Sequence, residues 1–118
     1  MCNNIKIISK VKSGELSICT QCHIYHLEFN NIYLEFSKKE FKRFKAYILD
    51  IEIDYWEHKY ALAKVKRKIP IPSMQQNLVL MFKRQEIREL QILLTSTKKD
   101  VFNTNLNISD IDYAFILN

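Results

Sequence analysis

Two stretches of this chain, 46 residues apart, carry the same pattern and limit the folds open to it. Residues 31–44 align with residues 77–90, with Asn31 and Asn77, Leu34 and Leu80, Phe36 and Phe82, and Glu40 and Glu86 identical. Ile32 with Leu78, Lys38 with Arg84, Phe41 with Ile87 and Phe44 with Leu90 keep their chemistry, far more agreement than about one chance identity in so short a window. Each copy changes its hydrophobic period midway, from two to about 3.6, as a strand running into a helix does. The first strand sets Ile32, Leu34 and Phe36 on one face, and the helix after it presents Phe41, Phe44, Ile48, Ile51 and Tyr55 as one stripe. Ser37 with Glu40 three residues on spells a capping box, whereas Lys83 replaces the serine in the second copy, whose helix turns Ile87, Leu90, Leu93 and Leu94 inward.

An extended segment precedes each copy. His23 to Phe29 joins Ile32 through Asn30-Asn31, a dipeptide suited to a tight hairpin, and Leu62 to Ile69 leads through Pro70-Ile71-Pro72 to Asn77. Ile5 to Lys12 and Glu15 to Cys19 read as a further hairpin turning at Ser13-Gly14, the only glycine. The expected fold is α+β: a mainly antiparallel sheet of five or six strands with two helices on one face, built from two repeated strand–strand–helix units at about 15–55 and 60–95. Residues 1–98 form the expected domain. The tail, 99–118, offers Ser109-Asp110-Ile111-Asp112 as the cap of a short docking helix, too short to stand alone.

At 118 residues and 47% hydrophobic, the chain has material for one core, and a fold of this size buries roughly 65% of its unfolded surface. One glycine and two prolines exclude collagen-like and low-complexity classes. No apolar run nears the roughly 18 residues of a membrane span, and Met1 to Val11 lacks the apolar block of a secretory signal, so a cytoplasmic protein is expected. The formal charge of +5 is uneven: residues 1–58 are balanced, 59–99 carry 10 basic against 2 acidic side chains, and 100–118 carry 3 acidic and none basic. A basic middle and an acidic tail suit either a polyanion surface or a tail that docks on its own domain.

The chemically suggestive element is Cys19-Thr20-Gln21-Cys22-His23, with His26 three residues later. Two cysteines flanking two residues at a chain reversal can direct both sulfurs at one tetrahedral ion, so Cys19 and Cys22 make half a zinc-type site. His26 or His23 would add a third ligand, with Cys2 and the remote His58 as further candidates; on a regular strand His23 and His26 fall on opposite faces. Two other readings stand beside it. A thioredoxin-like dithiol needs the pair at a helix start, and here it lies between strands. Free cysteine also serves as a small semi-buried hydrophobe, the commonest role of the residue.

The rest of the chain carries no assembled catalytic motif. A single glycine nearly excludes a phosphate-cradling loop, and Glu28 and Glu35 read as solvated cross-strand charges. Lys64, Lys66 and Lys68 would share one strand face beside Arg67, and Lys38 and Lys42 begin the first helix; together they could meet nucleic-acid phosphates. No aromatic interleaves them for base stacking, so a solvated, edge-protecting face is the simpler account.

The string Cys19-x-x-Cys22-x-x-Tyr25-His26-Leu27-x-Phe29-x-Asn31-Ile32-x-Leu34-x-Phe36, followed by Glu40-Phe41-x-x-Phe44, resembles a family of small bacterial proteins of unknown function, of the Bacteroidota type. The likeness covers about residues 15–95. It implies that Cys19 and Cys22 belong to the family pattern, and it implies no activity, cofactor or partner. The expectation is a small intracellular, non-catalytic binding or regulatory protein, with zinc at the cysteine turn and a protein partner or second copy as its companion. A nucleic-acid accessory role through segment 59–99 is the alternative, and thiol redox chemistry ranks third.

Overall fold

The computed structural model describes residues 4–95, so the tail expected at 99–118 and Cys2 lie outside the described residues. Four strands, β1 (Ile5–Val11), β2 (Gly14–Cys19), β3 (Tyr25–Phe29) and β4 (Ile32–Phe36), form an antiparallel sheet in chain order. Helices α1 (Lys38–Asp50) and α2 (Ile53–Lys59) follow, then β5 (Ile69–Pro72) and β6 (Val79–Phe82), which pair with each other, and finally α3 (Arg84–Thr95). The class is α+β, but the single sheet expected from the sequence is divided into four strands and two. Pro70 and Pro72 share one side of β5 and have no N–H, so its edge away from β6 cannot donate to another strand.

The register between strands follows from short turns. Val11 pairs with Gly14 and Phe29 with Ile32, so two-residue links, Lys12-Ser13 and Asn30-Asn31, close both hairpins, Asn30 taking the left-handed φ of 54°. Gly14 has no positive φ and begins β2; its role is proximity, because a Cβ there would lie 2.2 Å from the Glu28 carbonyl oxygen. Pairing then places Leu16, Leu27 and Leu34 in one row across β2, β3 and β4, and Ser17, His26 and Glu35 in the adjacent row on the opposite face. Leu16 and Leu27 are buried beside Ile87, Leu90, Leu93 and Leu94 of α3 in one core cluster. Burying each of these large side chains contributes about 1.5–3 kcal/mol.

Helix α3 contacts β1 and β2, and α1 contacts β4. The Ser9 hydroxyl donates to the Leu93 carbonyl, tying β1 to α3, and Phe29 meets Phe82 edge to face at 5.9 Å, joining the two sheets. The Ser37–Glu40 capping box starts α1, its Glu40 carboxylate accepting the Ser37 N–H at 2.8 Å. Glu86 accepts the Lys83 N–H at the same 2.8 Å, so the returning glutamate bond occurs at both helix starts. Lysine cannot reciprocate as serine does. Glu86 instead receives a forked pair from Arg67, at 3.0 and 3.1 Å, and an Asn30 amide bond at 3.4 Å.

Two further sequence expectations are corrected. The long helix through Tyr55 breaks at Ile51, whose ψ of 135° is extended, giving three helices among the described residues in place of two. The break buries Ile53 and leaves Tyr55 half exposed, so the apolar stripe does not continue through Tyr55. The segment Leu62 to Ile69 is a loop until β5 begins at Ile69, because Lys68 Nζ donates to the carbonyls of Tyr60, Ala63 and Val65 at 2.9–3.0 Å and curls it. No helix among the described residues is long and apolar enough to cross a membrane.

Candidate metal centre

The Cys-x-x-Cys segment forms the reversal between β2 and β3. The His23 N–H donates to the Cys19 carbonyl at 2.8 Å, making one helical turn, and the Cys19 N–H donates to Ile24 at 2.9 Å. His23 closes the turn at φ 59°, a left-handed conformation that histidine enters more readily than most side chains. Inside it the Cys22 N–H donates to Cys19 Sγ at 3.3 Å, holding that sulfur within the turn. Cys19 is fully buried and is a free thiol, whereas Cys22 is exposed and disulfide-bonded.

His26 sits on β3 opposite Ser17 and Glu35, and its imidazole is buried. Cys19 lies two residues beyond Ser17 on β2, so it shares that face of the sheet and stands diagonally across from His26. The Tyr33 hydroxyl lies 2.6 Å from His26 Nδ1 and donates to Glu35 Oε2 at 2.9 Å. A phenol has one proton, and here it goes to the carboxylate, so toward His26 the oxygen accepts and Nδ1 carries the imidazole hydrogen. Nε2 is left with a bare lone pair. It is buried and has no hydrogen-bond partner, which for a nitrogen acceptor costs about 1–3 kcal/mol. Tyr33 is held above the ordinary tyrosine pKa by burial first, then by its bond to Glu35 and the negative charges of Glu35 and Glu28.

Of the residues expected at the site, Cys22 and His26 line one surface cavity of about 310 Å³ with Glu35 and Glu40, and Cys19 lies beneath the turn. His23 is exposed at the tip of the turn, and His58 falls in the last turn of α2. Among the described residues no three His, Cys, Asp or Glu side chains are grouped as a metal ion requires. Tyr33 and Glu35 were missed as participants. Counting outward from the Asn30-Asn31 hairpin would have found them, because that turn fixes Glu35 opposite His26 and puts Tyr33 on the same face.

The basic candidates disperse. Arg67 is forked to Glu86, Lys68 is spent on three carbonyls, and Lys64 and Lys66 are exposed in a loop, so they do not form the strand face expected. Lys38 and Lys42 are exposed in the first turns of α1.

Fold and turn together define a small α+β protein with a cysteine reversal against a buried histidine. The chain belongs to the family of unknown function DUF6686, whose profile matches residues 1–118. No curated protein and no solved structure matches it.

Proposed function

We propose that the chain is a small non-catalytic binding protein in which reduction of Cys22 lets the β2–β3 turn draw Cys19 Sγ, Cys22 Sγ and His26 Nε2, not grouped in the present geometry, around a zinc-type ion. The observation that carries this reading is the His26 Nε2 lone pair, buried and unpartnered, with its tautomer set by Tyr33 and Glu35. An imidazole bound to a metal through one nitrogen characteristically donates from the other, which is the arrangement His26 has in advance. The Cys22 N–H on Cys19 Sγ supports the same reading, because it orients that sulfur within the turn that carries Cys22.

Cys22 must first be a thiol, and it is disulfide-bonded. A phosphine reductant supplies the two electrons: the S–S bond breaks to two thiols and the phosphine becomes its oxide with oxygen from water. Zinc then displaces the thiol protons to solvent. The test is zinc titration of reduced, metal-free, untagged protein against a chromophoric chelator, with binding expected near one equivalent and lost in Cys19→Ser and His26→Ala. Uptake below about a tenth of an equivalent, equal in wild type and Cys19→Ser, overturns the reading.

A further inference from the structure

We propose that the outer edge of β4 and the apolar cleft beside it bind an extended peptide, which adds a fifth strand to the four-stranded sheet. The peptide carries apolar side chains at alternate positions and a carboxylate for Arg43. The edge is open by register. The Ile24 carbonyl, just before β3, accepts the Cys19 N–H, and the Glu28 carbonyl lies against Gly14 of β2. Even-numbered residues along β3 therefore turn their peptide groups to β2, and odd-numbered ones turn theirs to β4. Tyr25, Leu27 and Phe29 stand opposite Phe36, Leu34 and Ile32, which leaves the N–H and C=O groups of Tyr33 and Glu35 facing outward. Among the described residues neither has a backbone partner on that side. Two other outer strands are blunted: β1 shifts register between Ile7 and Ser9 and carries Lys6 and Lys10, and Pro70 and Pro72 take the donors from the free edge of β5. By contrast β4 keeps an unbroken register and has neither lysine nor proline.

A cleft of about 440 Å³ reaches β4 from this edge, since it touches Leu34 and Phe36 on one face of the strand and Glu35 on the other. Its remaining apolar wall comes from Phe44 of α1 and from Ile71, Leu78 and Leu80 of the β5–β6 hairpin. Leu78 is 48% exposed and Met74, on the same hairpin, 78% exposed, so the fold itself does not consume this apolar surface. With the hairpin as its second wall, the cleft suits a single extended segment better than the edge of a second copy's sheet. Charge then sets the chemistry of the occupant. The acidic groups of the cleft are engaged, Glu40 with the Ser37 N–H and Glu35 with the Tyr33 hydroxyl. Arg43, on the α1 wall, is exposed and has no ion pair among the described residues, so an acidic side chain on the peptide is its complement.

The test is fluorescence anisotropy of the full-length chain with labelled peptides about eight residues long, leucine alternating with threonine and one threonine replaced by aspartate at each position in turn. The best of the set should bind with a Kd below about 0.1 mM. Arg43→Glu should weaken that peptide at least about tenfold while changing its asparagine counterpart less than about twofold, and Leu78→Asp should abolish both. Both side chains are exposed, so far-UV circular dichroism of the variants should match wild type. N-methyl groups on alternate peptide amides remove the donors from one edge of the bound strand. The alternation that faces β4 should cost at least about tenfold, and the opposite one should be tolerated. No binding by any member of the set at about 1 mM protein, equal effects of the two alternations, or an undiminished acidic peptide in Arg43→Glu overturns the inference. A concentration-dependent dimer that Leu78→Asp dissolves assigns the edge to a second copy and also overturns it.

Discussion

Glu40 and Glu86 provide an internal comparison in which one local bond is held constant and its surroundings change. Both carboxylates accept a backbone N–H three residues back at 2.8 Å, from Ser37 and Lys83. Glu40 to Ala should therefore cost about 1 kcal/mol, the ordinary value of a helix cap. Glu86 has more to lose: its side chain is 11% exposed, and it also takes the Arg67 fork and the Asn30 amide. Removing it strips the start of α3 of its returning bond and leaves the Lys83 N–H and the Arg67 fork without their carboxylate, for a total of about 2–3 kcal/mol. Urea unfolding followed by far-UV circular dichroism would read the difference as a lower midpoint at unchanged slope. In an Arg67→Ala background the Glu86→Ala cost should shrink, because part of what it removes is already gone. If Glu86→Ala proves no more damaging than Glu40→Ala, the tertiary bonds of Glu86 add nothing to its cap, and the account of how the second helix start manages without a serine is wrong.

Three other expectations come from the same sheet. Gly14→Ala should destabilise by about 2–4 kcal/mol in thermal or urea unfolding, since its Cβ would meet the Glu28 carbonyl at 2.2 Å and β3 would have to move. In an ultraviolet titration one of the six tyrosines should ionise above the ordinary range, and Glu35→Gln should lower it. The sign follows: the unfolded phenol loses its proton first, so the stability Tyr33 contributes is complete below about pH 10 and is lost as pH rises through its folded value, a slope that Tyr33→Phe removes. Zinc uptake by air-oxidised protein should fall well below that of phosphine-reduced protein and return on reduction, because the Cys22 disulfide withholds one sulfur; equal uptake in both states would exclude Cys22 as a ligand.

Where the sequence was informative, the cause was local. The Ser37–Glu40 box, the Asn30-Asn31 hairpin and the inward Ile87, Leu90, Leu93 and Leu94 depend on neighbours within a few residues, and each is present as expected. Failures arose where distant groups decide. Nothing near Lys68 announces that its ammonium will gather three carbonyls and curl a segment whose alternation reads as strand. The split of the sheet was foreshadowed by Pro70 and Pro72, but their effect depends on which side of β5 pairs with β6, and that is a tertiary fact. At the turn, the cysteines and His26 were visible as types and spacing. The role of Tyr33 and Glu35 emerges only after β3 and β4 are in register.

The bond from Ser9 to Leu93 spans most of the described chain, and it sets an order of events during synthesis. The meander β1 to β4 closes through adjacent hairpins and can pair as soon as residue 36 has left the ribosome, whereas α3 arrives about 50 residues later. At roughly 5–20 residues per second that interval lasts a few seconds. Until α3 arrives, Leu16 and Leu27 lack part of the cover that buries them in the finished fold. A nascent chain stalled before residue 84 would therefore present a formed sheet with one face open, making α3 the element whose delivery ends the period of greatest exposure to aggregation.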